Sequence, residues 1–346
     1  MSEPGKEVTI YDIANKLNIS AATVSRGLKD HPGINKNTKK NIINAANEMG
    51  YRSNSFASNL RKKSSNIIGV IVPRLNSNFM SDVIAGIEKV VNEASYNLFI
   101  SQSLESMKKE ASNAKAMFNN RVDGLLVSLA YDTTDISHFD PFISKDIPVV
   151  FFDRVVEHNK CPNIFIDNFK AAFEITSHLI EQGCKRILHI TGNQLRNVYA
   201  DRFKGYKQAL KDHNLLVEDD LLIISDLSAK AGTEAAALIL KMDKPPDGVF
   251  AANDLCAISC MQALKKAGIK IPADIAFAGF NNDPTSCVIE PNLTTIDYRG
   301  YEMGEVAARI MISHLVNNDD LQITHSLILR SELIIRGSSL KKGVNT

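Results

Sequence analysis

Two groups of residues in this chain have the types and spacing for chemistry, and both point to binding. The first lies in TIYDIANKLNISAATVSRGL, residues 9–28. Ala21 and Ala22 are small enough to let a helix backbone approach a groove floor. Arg26, one turn later, carries a fork that matches the guanine edge in the DNA major groove. The second group follows the ends of apolar runs further along: Pro73 to Phe79, Ser128 to Tyr131, Asp153 and Arg154, Asp167, Thr191 to Asn193, Asn253 and Asp254, and Asn281 to Asp283. Amides and carboxylates meet hydroxyls in donor and acceptor pairs, and a ring such as Phe79 packs on an apolar face, so this group suits a polyhydroxylated ligand. No G-x-G-x-x-G follows the first strand, and no Walker loop, serine elbow or His and acid cluster supplies a nucleophile with a base. The chain is therefore expected not to be an enzyme and to need no cofactor. Cys256 and Cys260 share a helical face but lack a second pair of ligands, so they are expected as core residues and no metal site is expected.

The elements that must position the first group are short helices. Thr9 caps one, with Asp12 reaching back as in a capping box, and Ile13, Ala14 and Leu17 share its inner face. Asn18 ends it. Ser20 caps the next, which buries Val24 and Leu28 and turns Ala21, Ala22, Ser25, Arg26 and Lys29 outward. A helical hairpin with a merely solvated face has the same pattern. After the bend at Pro32-Gly33, Asn37 is expected to cap a third helix running to Met49, with Ile42, Ala46 and Met49 inward. YRSNSFASNLRKKSSN then has helical potential from Asn54 to Leu60 but is too short to hold a helix alone in water. It is expected to fold on DNA, driving Leu60 into a minor-groove base step; a plain basic linker is the alternative.

From Asn66 onward apolar strands alternate with helix-sized intervals. Strands are expected at 67–72, 97–103, 123–129 and 147–153, and a second set at 186–191, 221–225, 248–253 and 275–280. Two successive parallel doubly wound sheets imply two lobes, and ligands in such sheets bind beyond the carboxyl ends of the strands. Charge divides the same way. The first 65 of the 346 residues hold eleven Lys or Arg against five acids, a net of +6, and the remainder holds 29 against 34, a net of −5. A basic head on an acidic body fits a nucleic-acid-binding module attached to something kept off the polyanion. MSEPGKEVTI lacks the apolar stretch of a secretory signal, no run is long enough to span a membrane, and five scattered cysteines do not suggest disulfides, so a cytoplasmic protein is expected.

With these features in place, the chain resembles the lac repressor and galactose repressor (LacI–GalR) family of bacterial transcription regulators over nearly its whole length. The resemblance is carried by TIYDIANKLNISAATVSRGL, EMGY, NSFASNLR, IIGVIVP, DRFKGYKQAL, the AND triplet at 252–254, PNLTTI at 291–296 and ELIIRGS. It implies a helix-turn-helix head at 1–51, a hinge at 52–65 and a periplasmic-binding-protein-like core. One lobe would comprise 66–167 with about 298–325, the other 168–297 with about 326–340, leaving 341–346 as a tail. It implies a homodimer on a pseudo-palindromic double-stranded operator, with contacts drawn from Thr9, Tyr11, Ser20, Ala21, Ala22, Thr23, Ser25 and Arg26, and from Asn54, Ala57 and Leu60 in the hinge. A sugar-like effector would meet Phe79, Arg202 and Asn253, with Asp153, Asp167 and Asn281 beside them, and would control repression of carbohydrate-utilisation genes. A protein partner, as in the catabolite-control members, is one alternative, and a cytosolic sugar-binding sensor without a DNA role is another. Ser53 and Asn78 replace prolines usual in the family, and Asn281 replaces an aspartate frequent in sugar-binding relatives. The tail has no leucine heptad, so a tetramerising coil is not expected.

Overall fold

The computed structural model describes residues 8–51, 64–317 and 326–341. The chain divides into two compact units, 1–65 and 66–346. The first unit contains α1 (Ile10–Leu17), α2 (Ala21–Leu28) and α3 (Lys36–Glu48). Ile13, Ala14, Val24, Ile42, Ala45 and Ala46 form its core. Asn18 ends α1 in the left-handed region, at φ 54°. The cap of α3 is Asn35, whose Oδ1 accepts the Asn37 N–H, rather than Asn37 as the sequence suggested. Two residues separate the candidates, and Asn35 is the one with extended backbone, which lets its side chain fold back over the first turn. The expected hinge helix, including Asn54, Ala57 and Leu60, lies outside the described residues.

The second unit holds β1 (Ile67–Val72), α4 (Asn78–Glu93), β2 (Asn97–Gln102), α5 (Met107–Asn119), β3 (Gly124–Val127), α6 (Asp140–Ile143), β4 (Val149–Phe152), β5 (Asn163–Ile166) and α7 (Asn168–Glu181). It continues through β6 (Ile187–Thr191), α8 (Asn197–Asp212), β7 (Leu222–Ile224), α9 (Ala229–Ile239), β8 (Gly248–Ala251), α10 (Asp254–Lys266) and β9 (Ala276–Ala278). Last come β10 (Thr295–Asp297), α11 (Gly300–Asn317), β11 (Ser326–Leu329) and β12 (Glu332–Ile334). One lobe is built on a six-stranded parallel sheet in the order β11-β5-β4-β3-β1-β2, the other on a four-stranded parallel sheet in the order β7-β6-β8-β9. Helices cover both faces, which is why the inner strands are apolar throughout: every residue of β3, β4 and β8 is buried.

The lobe boundary near the carboxyl end differs from the sequence expectation. β11 pairs with β5, Ser326 opposite Asn163 through Leu329 opposite Ile166, and so belongs to the first lobe rather than the second. Without it the outer edge of β5 would present unpaired amide groups. The chain crosses only afterwards, when β12 pairs antiparallel with β10 and the Ser338 hydroxyl donates to the Phe277 carbonyl. Lys341, expected in the tail, is tied to the second lobe by a 2.7 Å bond from its ammonium to the Asp247 carbonyl.

In the first lobe α4 and α11 pack at backbone distance. A Cβ on Gly86 would fall on the Tyr301 carbonyl oxygen, and one on Gly304 on that of Val83. These two glycines let the two helices approach at backbone distance, and so set where Phe79, at the start of α4, sits.

Candidate functional site

In the head, the residues expected at DNA fall into two groups. Ser20 and Thr9 are occupied by their own helices. The Ser20 Oγ accepts the Thr23 N–H at 3.1 Å and lies 2.8 Å from the Thr23 hydroxyl. The Thr9 N–H and hydroxyl both donate to Asp12, at 2.8 and 2.7 Å. Tyr11, Ala22 and Arg26 are exposed, and Ala21, Thr23 and Ser25 are half-buried. Lys16 is paired with Glu48 and Lys39 with Asp30. Among the described residues of the head, Arg26, Lys29, Lys36 and Lys40 have no ion-pair partner, so the positive charge is left on the α2 and α3 surfaces.

In the second unit a cavity of about 310 Å³ lies between the lobes, beyond the carboxyl ends of both sheets. Phe79, Asp153, Arg202, Asn253 and Asn281 line it. Phe79 stacks on Tyr298 with ring centroids 4.3 Å apart, giving the cavity an aromatic floor. Arg202 is buried; its Nε donates to Asn168 Oδ1 at 2.9 Å, its Nη1 to the Ala252 carbonyl at 2.7 Å, and its guanidinium lies 3.5 Å from the Phe280 ring centre. Asp153 is held in the left-handed region at φ 59° and receives the Tyr298 hydroxyl at 2.5 Å and the Ser128 hydroxyl at 3.2 Å. Burial raises its carboxyl above the usual carboxylate range despite the neighbouring Arg154. Asn253 is partly engaged as the cap of α10, accepting the Cys256 N–H at 2.8 Å and donating to the Leu227 carbonyl at 3.0 Å. Asn281 is held at φ 114°.

Asp167 does not line the cavity. Its exposed carboxylate caps α7 by accepting the Lys170 N–H at 2.9 Å, and the inward position belongs to its neighbour Asn168. Other lining residues escaped the sequence reading: Glu105, Tyr199, Asp226 and Tyr298. Asp226 directly follows the strand expected at 221–225, whereas Glu105, Tyr199 and Tyr298 do not stand directly after an expected strand. Arg154 and Tyr131 stood at strand ends but were not singled out as effector contacts. They form a bridge across the lobes, with Arg154 Nη2 donating to the Tyr199 hydroxyl at 3.1 Å and the Tyr131 hydroxyl reaching the same oxygen at 3.1 Å. Asp283, on the second-lobe wall, has its carboxyl pushed up to about 7 by burial and by the charges of Asp254 and Asp82.

Residues 9–54 match the lacI family of bacterial regulatory proteins, and residues 176–339 match the periplasmic binding protein-like domain. The chain is 30% identical over 328 residues to Catabolite control protein A of Priestia megaterium, covering 93% of this chain and 98% of that protein. The chain belongs to the lacI family. This lacI-family regulator is also 30% identical over 338 residues to the HTH-type transcriptional repressor CytR of Escherichia coli K12, covering 96% of each. Its fold is shared with the lac repressor dimer bound to operator and the anti-inducer ONPF, at a TM-score of 0.84 and 22% identity over 97% of this chain and all of that one. The helix-turn-helix head and the two-lobed core expected from the sequence are both present, and the protein is a DNA-binding regulator of transcription.

Proposed function

We propose that this regulator is a homodimeric repressor whose core holds a small sugar-like effector between its lobes and so controls operator binding. The observation that carries this is the cavity itself: it joins the carboxyl ends of two parallel sheets and combines an aromatic floor, Phe79 on Tyr298, with a buried arginine fixed on three sides. Bridges such as Tyr131 to Tyr199 and Asn197 Nδ2 to the Asp153 carbonyl, at 3.1 Å, join the two walls. A ligand that binds one lobe arrangement better than another shifts that equilibrium, with a coupling of typically about 1–3 kcal/mol.

In the head, Ala21, Ala22 and Arg26 enter the major groove of each half-site, and the hinge leucine, Leu60, wedges the centre. Dimer formation is supported by the edge strand β2, where Phe99 and Ile100 are exposed on a sheet whose inner strands are buried. Size-exclusion chromatography with light scattering should give a dimer, and a tetramer would refute that assembly. The effector is tested by thermal shift of the full chain against sugars and sugar derivatives. A ligand at about 100 times its Kd adds about 2.7 kcal/mol. A hit that also leaves affinity for operator DNA unchanged would sink the control mechanism.

A further inference from the structure

Residues 193–199, where the chain enters α8 of the second lobe, reach across to the first lobe with Asn193, Arg196, Asn197 and Tyr199. Asn193 Nδ2 donates to the Tyr131 carbonyl at 3.3 Å, Asn197 Nδ2 donates to the Asp153 carbonyl at 3.1 Å, and Asn197 Oδ1 accepts the Val155 N–H at 3.0 Å. Arg196 Nη2 donates to the Thr133 carbonyl, and the Tyr199 hydroxyl meets Arg154 and Tyr131. The partners are mostly main-chain groups of the loops that follow β3 and β4, which no strand satisfies. The stretch is shaped for this reach. Asn193 Oδ1 accepts the Leu195 N–H at 3.0 Å and the Asn193 carbonyl accepts the Arg196 N–H at 3.1 Å, a tight turn that delivers Arg196 to the first lobe.

The receiving loop is fixed from behind. Glu110, buried on α5, accepts the Ala130 N–H at 2.8 Å and the Thr133 hydroxyl at 2.9 Å, with His138 Nε2 3.0 Å away. Onto this loop the second lobe places a cation that is 8% exposed and whose Nε has no hydrogen-bond partner. Burial and then the charge of Arg154 pull the Arg196 pKa below the ordinary arginine value, while Glu110, Asp132 and Glu105 act the other way. A guanidinium that gives up water for one carbonyl is costly to bury unless the surrounding field favours it. Here the favourable field belongs to the other lobe, so Arg196 gains it only while the lobes meet.

We propose that residues 193–199 are a latch that holds the two lobes in the arrangement described, with Arg196 as its key, a cation of the second lobe seated in an acid-lined socket of the first. Arg196 does not line the effector cavity, so the latch acts with or without a ligand. Its regulatory consequence rests on the reading that lobe arrangement controls operator binding.

The test is amide hydrogen exchange, read by mass spectrometry on the full chain without ligand, in Arg196→Met and Arg196→Lys. The reporter is the segment 153–157, whose Val155 N–H is covered by Asn197 and not touched by Arg196, so a change there reports the lobes and not the lost bond. In Arg196→Met exchange at 153–157 should rise by about tenfold or more while β4 and β8 keep their protection. Unchanged exchange at 153–157 in this variant overturns the latch. An equal rise through β4 and β8 also overturns it, since Arg196 would then support the fold as a whole. Arg196→Lys keeps a cation with N–H donors and should stay near the parent; a lysine variant as open as the methionine one overturns the seated-cation account. Operator affinity measured on the same proteins separates the two readings. A latch that opens in Arg196→Met while operator affinity stays constant supports the latch and removes lobe arrangement as the control of DNA binding.

Discussion

Asp283→Asn should make this regulator more stable, and only above a defined pH. The carboxyl has an ordinary value of 3.8 and is pushed up to about 7, first by burial, then by Asp254 and by Asp82. Raising an acid means that the native state holds the proton more tightly than the unfolded chain. Its contribution is therefore fully present below about pH 4, is lost as the pH rises toward 7, and stays lost above that. At 1.36 kcal/mol for each tenfold, the cost of carrying the charge at pH 8 is about 4 kcal/mol at most. Asparagine keeps the size and stays neutral, so it removes that cost, while the backbone N–H that bonds Asp254 is untouched. Melting curves of parent and variant at pH 4.5 and pH 8 decide the matter. The variant should melt several degrees higher at pH 8, at roughly 2–4 °C per kcal/mol for a body of this size, and only about 2–4 °C higher at pH 4.5, where roughly 1 kcal/mol of the cost is present. A difference that is the same at both pH values would refute the electrostatic reasoning and leave only a packing effect.

Further outcomes follow from contacts already described. Arg26→Ala should cost roughly 1–3 kcal/mol of operator affinity and relax preference at one base position; a uniform loss across sequences would make it a phosphate contact. Ser20→Ala removes the cap of α2 and should lower the stability of the head by about 1 kcal/mol, read from amide exchange in the helix. Gly304→Ala forces a methyl onto the Val83 carbonyl and should destabilise the core by about 1–3 kcal/mol; an unchanged melting temperature would mean the helices part easily. Arg202→Ala should weaken the effector by roughly 10- to 100-fold while operator binding without effector persists, and loss of both would mark it as structural.

The inner strands of both lobes were readable because strands buried on both faces appear as unbroken apolar runs, as in IIGVIV at 67–72 and VVFF at 149–152. The helix caps at Thr9 and Ser20 were readable because their partners lie three residues away. What failed to show were short elements whose existence depends on distant partners. β5 and β11 have four residues each, and they are strands because β5 pairs with β4 on one side and β11 on the other, and β11 with β5. The site divides in the same way. Phe79 and Asn253 begin or cap helices that follow strands, so local pattern locates them. Tyr199 and Tyr298 enter only when two lobes meet, and Asp167 and Asn168 differ by a single step of chain that decides which faces inward.

The late return of the chain also governs how this protein is made. Because β11 completes the first sheet, β12 pairs with β10 in a separate two-stranded sheet and Ser338 bonds Phe277 in β9, neither lobe has all its hydrogen-bonding partners until the final stretch of polypeptide has been synthesised. A nascent chain stopped before residue 326 would carry an uncovered β5 edge and an unpaired β10. Edges of that kind template association between chains. Truncated products of this gene are thus expected to be captured by chaperones or to aggregate, rather than to compete for the operator as half-built repressors.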